Sequence, residues 1–123
     1  MKFSLADADD SYLVRAYSQG EVIINEQRHT SSVVVMPKRI IDDWPPQSFA
    51  ELSADHFAIL SELKPQLVIL GTGDVQRFPD PALYAALLEQ GLGVEVMTTP
   101  AACRTYNILA SEGRRVVAAL LLD

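Results

Sequence analysis

The sequence predicts a layered α/β domain, and three observations point to it. The first third is rich in short β-prone runs separated by polar turns. From Ser53 onward, segments with helical spacing of apolar residues alternate with short, continuously apolar runs. Two helix starts are marked by a capping residue followed directly by proline, at Asp80-Pro81 and Thr99-Pro100, where a missing N–H costs nothing.

Taken in order, Tyr12 to Tyr17 and Val22 to Ile24 read as strands joined by Ser18-Gln19-Gly20-Glu21, which suits a hairpin. Asn25 to Arg28 is a second polar turn. Val33 to Met36 is apolar throughout, as expected of a strand covered on both faces, and Pro37 ends it. Ile40 to Phe49 is irregular, with Trp44 leading into Pro45-Pro46. Proline restricts its predecessor and withholds a donor, so this segment is a stiff, extended connection. Ser53 can cap a helix whose inner side carries His56, Leu60 and Leu63, stopped by Pro65. Leu67 to Leu70 is a strand that runs into Gly71-Thr72-Gly73. The next helix runs from Asp80-Pro81 through Leu83, Leu87 and Leu88 to Gly91. Val94 to Thr98 is a strand, Thr99 caps a helix that Gly113 can end, and Arg115 to Leu122 is the final strand. Helical connections of this length allow parallel strands and put helices on the sheet faces.

A chain of 123 residues with 49% hydrophobic and 21% charged side chains reads as one domain, 1–123. A chain of that size buries roughly two-thirds of its unfolded surface. Ten basic against sixteen acidic residues give a net charge of −6, which opposes attraction to nucleic acid and to anionic lipid. The basic clusters are Pro37-Lys38-Arg39 and Arg114-Arg115, and both read as solvated strand ends. Cys103 is the single cysteine, so an intramolecular disulfide and a cysteine-cluster metal site are excluded, and a reducing compartment fits. The acidic start Met1 to Asp7 resembles neither a signal peptide nor a transit peptide. No apolar run approaches the roughly 20 residues that span a bilayer. A cytoplasmic location without membrane insertion is therefore expected.

Ligands of open α/β sheets sit beyond the carboxyl ends of parallel strands. Two such ends stand out here, Gly71-Thr72-Gly73 and Met97-Thr98-Thr99-Pro100. Both lead to helix starts, where free N–H groups and partial positive charge favour anions. If the strands adjoin, Gly71, Thr72, Gly73, Thr98, Thr99 and Arg104 converge on a small anionic ligand. The competing reading is structural: glycines permit a tight turn and close packing. Gly-Thr-Gly also lacks the spacing of dinucleotide and phosphate loops. Cys103, near a helix start and beside Arg104, is a candidate reactive thiol, set against the ordinary role of a buried cysteine as a small apolar residue. His56 reads as packed and His29 as solvated. No metal-ligand spacing occurs, the run Asp7-Ala8-Asp9-Asp10 lacks a calcium-loop pattern, and no Gly-x-Ser-x-Gly elbow is present. No catalytic set, cofactor or metal is expected.

Several motifs resemble one small family. They are Gly71-Thr72-Gly73-Asp74, then Gly91 with Val94-Glu95-Val96, then Thr99-Pro100-Ala101-Ala102-Cys103, Thr105 to Leu109, and Glu112-Gly113-Arg114. The family includes mitochondrial respiratory complex I assembly factor 3 and uncharacterised bacterial and archaeal proteins. The resemblance implies a three-layer α/β fold, with a mixed central sheet, helices on both faces and an additional N-terminal β layer. It implies no established enzymatic activity or cofactor, and a role through protein contacts. Lacking a presequence, the chain looks more like a bacterial member. Carried across, Gly71, Thr72 and Gly73 form the turn, with Thr99, Cys103, Arg104 and Tyr106 facing or supporting the adjacent pocket. In the structural version, Thr99 caps, Tyr106 and Leu109 pack, and Asn107 or Glu112 satisfies backbone groups.

Two functions are expected on these grounds. The first is a non-catalytic interaction or assembly domain with an unidentified protein partner, for which Trp44 is the candidate interface anchor, set against the reading in which Trp44 lids the sheet. Exposed edge strands or an apolar patch near Trp44 would also support a homodimer. The second is a small-molecule or anion-binding protein, or a cryptic enzyme, using a cavity at Gly71 to Gly73 and Thr99-Pro100.

Overall fold

The computed structural model describes residues 11–123; the acidic run Asp7 to Asp10 and the rest of the N-terminus lie outside the described residues. Three antiparallel strands, β1 (Val14–Ser18), β2 (Glu21–Ile24) and β3 (Gln27–His29), form a small sheet in that order. The main sheet has five strands: β4 (Val33–Met36), β5 (Arg39–Ile41), β6 (Leu67–Thr72), β7 (Gly93–Met97) and β8 (Val116–Leu121). Its order is β5-β4-β8-β6-β7. The strands β8, β6 and β7 are parallel, while β4 runs antiparallel to both β8 and β5. The sheet is therefore mixed, as the resemblance implies.

The helices are α1 (Ala54–Ser61), α2 (Ala85–Glu89) and α3 (Thr99–Ser111), and they cover both faces. The alternation of a strand splits each apolar run between two cores. Val33, Val35, Ile69, Ala118 and Leu120 face α3 and the small sheet. Val34, Val68, Leu70, Ala119 and Leu121 face α1, α2 and Trp44. This is why β4, β6 and β8 are apolar at successive positions rather than at every second one.

Two strands differ from the sequence reading. Gln27–His29 is a strand, so the predicted turn from Asn25 to Arg28 shrinks to Asn25-Glu26. Asn25 takes a left-handed φ of 53° there, and its Oδ1 accepts from the Leu13 N–H at 2.9 Å. Likewise Pro37 does not end the β structure; the chain turns through Lys38 and returns as β5, pairing Val34 with Ile41.

Two helices also differ. In α1 the buried residues are Phe57 and Leu60. Ser53 is the N-cap, and His56 completes a capping box with it, its Nδ1 accepting from the Ser53 N–H at 3.1 Å while its ring meets Trp44 edge-on. Pro81 to Tyr84 forms a 3₁₀ turn before the short α2, and this tighter winding rotates the side chains of α2 relative to a continuous α-helix. Leu87 is buried, whereas Leu88 is 49% exposed rather than inward.

Candidate functional site

The loop leaving β6 and the start of α3 do adjoin, because β6 lies between β7 and β8. Thr99, fully buried, is the hub of their contact. Its Oγ1 accepts from the Gly73 N–H at 2.8 Å and donates to the Leu121 carbonyl at 2.6 Å. Its own N–H donates to the Gly73 carbonyl at 2.8 Å. One side chain thus ties together the ends of β6 and β8 and the first turn of α3. Helix α3 is capped one residue earlier than expected, by Thr98, whose hydroxyl accepts from the Ala101 N–H at 3.4 Å.

The glycines make this clasp possible. A Cβ on Gly71 would lie 2.8 Å from Thr99 Oγ1, 3.0 Å from Thr99 Cα and 3.2 Å from Ala102 Cβ. Gly73 has a φ of +91°, and a Cβ there would lie 2.7 Å from the Asp123 carbonyl oxygen. Thr72 is buried as well; its hydroxyl donates to the Val75 carbonyl at 2.7 Å and accepts from the Arg77 N–H at 3.3 Å. The expected cavity is therefore replaced by contact. Of the depressions of about 580 and 380 Å³ on the described surface, neither is lined by Gly71, Thr72, Gly73, Thr98 or Thr99. The N–H groups of Gly73, Arg77, Thr99, Ala101 and Ala102, which could attract an anion, are bonded within the chain.

Arg104 and Cys103 lie apart from that clasp. They line a depression of about 380 Å³ with Arg15, Tyr17, Pro100 and Asn107. Arg104 is exposed, but the Cys103 thiol is buried. Burial pushes its pKa from an ordinary 9.0 up to about 12, with Arg104 pulling the other way and losing. Desolvation therefore outweighs the lowering expected from the helix start and the arginine, which opposes a reactive thiol at Cys103. At the rim, the Tyr17 hydroxyl donates to Asp74. Burial and that carboxylate hold the phenol well above its usual range.

Further along α3, Tyr106 and Asn107 fasten the small sheet. The Tyr106 hydroxyl donates to the Tyr12 carbonyl at 2.7 Å. Asn107 exchanges two bonds with Val14: Nδ2 donates to the carbonyl at 2.7 Å, and Oδ1 accepts from the N–H at 2.9 Å. Trp44 is also inward, only 1% exposed, with its indole N–H 3.4 Å from the His56 carbonyl. It closes the core beneath α1, so it is not a surface anchor. Among the described residues, no group of three or more His, Cys, Asp or Glu side chains is placed to hold a metal ion. Among them also, no helix is long and apolar enough to cross a membrane.

The sequence profile of a family described as a protein of unknown function (DUF498/DUF598) matches residues 14–121. The chain belongs to that family. Among its relatives are proteins named NADH dehydrogenase (ubiquinone) 1 alpha subcomplex assembly factor 3. The Xenopus tropicalis protein is 33% identical over 94% of this chain and 63% of its own length. The Bos taurus protein is 31% identical over 88% of this chain and 59% of its own. The chain thus spans about three-fifths of the length of these curated relatives. A crystal structure of a Bordetella parapertussis protein matches with a TM-score of 0.86 and 39% identity, covering 92% of this chain and 97% of that one.

The family motifs singled out in the sequence therefore have structural work in this member: Gly71, Gly73 and Thr99 build the clasp, and Tyr106 and Asn107 hold the β layer. Sequence reasoning missed the exposed apolar side chains of the loop after β6. Phe78 is 76% exposed and Val75 is 59% exposed. The only signal was two apolar residues in the stretch between Gly73 and Pro79, which lacks strand or helix spacing.

Proposed function

We propose that the chain is a non-catalytic protein-binding domain with an assembly-factor role. The observation that carries this reading is the loop from Asp74 to Phe78. It presents Phe78, 76% exposed, and Val75, 59% exposed, beyond the carboxyl end of β6. Large exposed aromatic side chains supply the buried anchors of protein interfaces. Arg77, whose guanidinium carbon lies 5.7 Å from the Phe49 ring centroid, braces the loop beside Phe78. The relatives named as assembly factors support the same reading, since their similarity covers 88–94% of the chain. A cytoplasmic location fits a cysteine kept as a buried thiol.

The test is quantitative co-purification from cells with the wild-type chain and with Phe78→Ser. Because Phe78 is exposed, the substitution is expected to change stability by no more than about 0.5 kcal/mol. Specific partners should fall about tenfold or more, the effect of losing an interface anchor. Identical partners at identical yield would remove the loop from the interface and leave the reading without its main support.

A further inference from the structure

We propose that a second surface, the groove across the amino-terminal ends of β6 and β8, binds an acidic peptide segment of a partner protein through apolar anchors. This rests on the protein-binding reading but uses the opposite end of the sheet from Phe78. The groove has a volume of about 580 Å³, and its floor includes Met36, Leu63, Pro65, Ala110 and Val116. It lies between the last turns of α1 and α3, where Leu67 pairs with Val116. That volume suits a few apolar side chains of a bound segment.

The rim identifies the occupant. Lys38, Arg114 and Arg115 line it, three of the ten basic residues in a chain of net charge −6. Among the described residues, none of the three has a carboxylate partner; the ion pair found among those residues, Arg28–Glu21 at 3.1 Å, lies in the small sheet. Arg115 is braced, its Nε donating to the Lys64 carbonyl at 3.3 Å and its N–H to Gln66 Oε1 at 3.0 Å. The rim also contains Glu112, and two helix carboxyl ends contribute about half a negative charge each. Three full cations outweigh these, so the local field favours an anionic occupant. A polyphosphate backbone has nothing to place on the apolar floor, and the chain as a whole repels it. An extended segment carrying both carboxylates and apolar side chains satisfies rim and floor together.

The experiment selects phage-displayed random dodecapeptides on the full chain at low ionic strength. Enriched peptides should be net negative with at least one large apolar residue. As free labelled peptides, they should bind about tenfold more weakly to Lys38→Glu/Arg114→Glu, the effect of reversing two rim charges. Lys38→Arg/Arg114→Lys should retain binding, and thermal melts should show both variants folded. No acidic enrichment, or acidic peptides indifferent to the reversal, overturns the assignment. It also falls if such peptides bind only an Asp7→Asn/Asp9→Asn/Asp10→Asn chain, since the chain's own N-terminal segment is then the occupant. It falls again if dodecanoate alone occupies the groove while no peptide does. Loss of the Phe78 interaction leaves this outcome unchanged, so the two surfaces fail separately.

Discussion

The two ends of the parallel strands β6 and β8 are built differently. At the carboxyl ends of β6 and β8, the loop and helix donors are answered inside the chain, chiefly by Thr99 with Gly73 and Leu121. At the amino ends, Lys38, Arg114 and Arg115 rim an apolar floor without carboxylate partners among the described residues. The general placement of α/β ligands at strand carboxyl ends presumes free N–H groups there. Here Thr99 and Thr98 accept the Gly73 and Ala101 N–H groups, and the larger of the two described depressions lies at the other end. What a strand end can bind depends on which donors the chain itself leaves unused.

The largest effect expected at the carboxyl end is chemical. With its pKa near 12 rather than an ordinary 9.0, Cys103 should be alkylated by iodoacetamide at pH 8 on the order of a thousandfold more slowly than in the unfolded chain. The same shift has a stability consequence. Because the folded-state value is raised, the contribution is fully present below about pH 9 and is lost as pH rises towards 12. Alkaline denaturation of Cys103→Ala should lack that portion of the decline. Rapid alkylation of the native protein would mean that reagent reaches the thiol through the depression it lines, and the contrast between the two ends would weaken.

Next in size is Thr99→Val, which keeps the shape and removes the hydroxyl. It strands the Gly73 N–H and the Leu121 carbonyl in a buried site, at a cost of about 3 kcal/mol by urea denaturation. Thr99→Ser should recover most of that loss. A small cost in the valine variant would mean that water reaches the clasp. The smallest of the three effects is Asn107→Ala, expected to cost about 2 kcal/mol through its two bonds to Val14. Amide exchange at Val14 should accelerate while that at Val68 in β6 changes little. Equal acceleration at both would show that the small sheet and the main sheet open together.

Much of the fold was legible because its signals are local. Val33 to Met36, Leu67 to Leu70 and the run ending at Leu122 are apolar at successive residues, and all three lie in the two-faced sheet. Strands β3 and β5 were not legible. Gln27-Arg28-His29 and Arg39-Ile40-Ile41 are short and partly charged, and they become strands only by pairing with β2 and β4. The 3₁₀ turn at Pro81 displaced Leu88 outward for a similar reason, since a capping signal locates a helix start without fixing how tightly the next turn winds. The candidate site was legible as a meeting of two segments but not as an outcome. Gly71 to Gly73 and Thr99 do meet, and their closeness is what removes the space between them. Trp44 kept two readings, interface anchor and lid over the sheet, because an aromatic beside two prolines looks the same in sequence whether it faces a core or solvent; the structure gives the second.

By itself the sequence determined the α/β class, the helix–strand order after Ser53 and the excess of acidic charge, because periodicity, capping and composition act within a few residues or by simple count. The tertiary structure decided that Thr99 spends its hydroxyl on residues 22 and 26 positions away. It also decided that Lys38 joins Arg114 across one groove. Those contacts depend on the order of strands in the sheet, which no local pattern specifies.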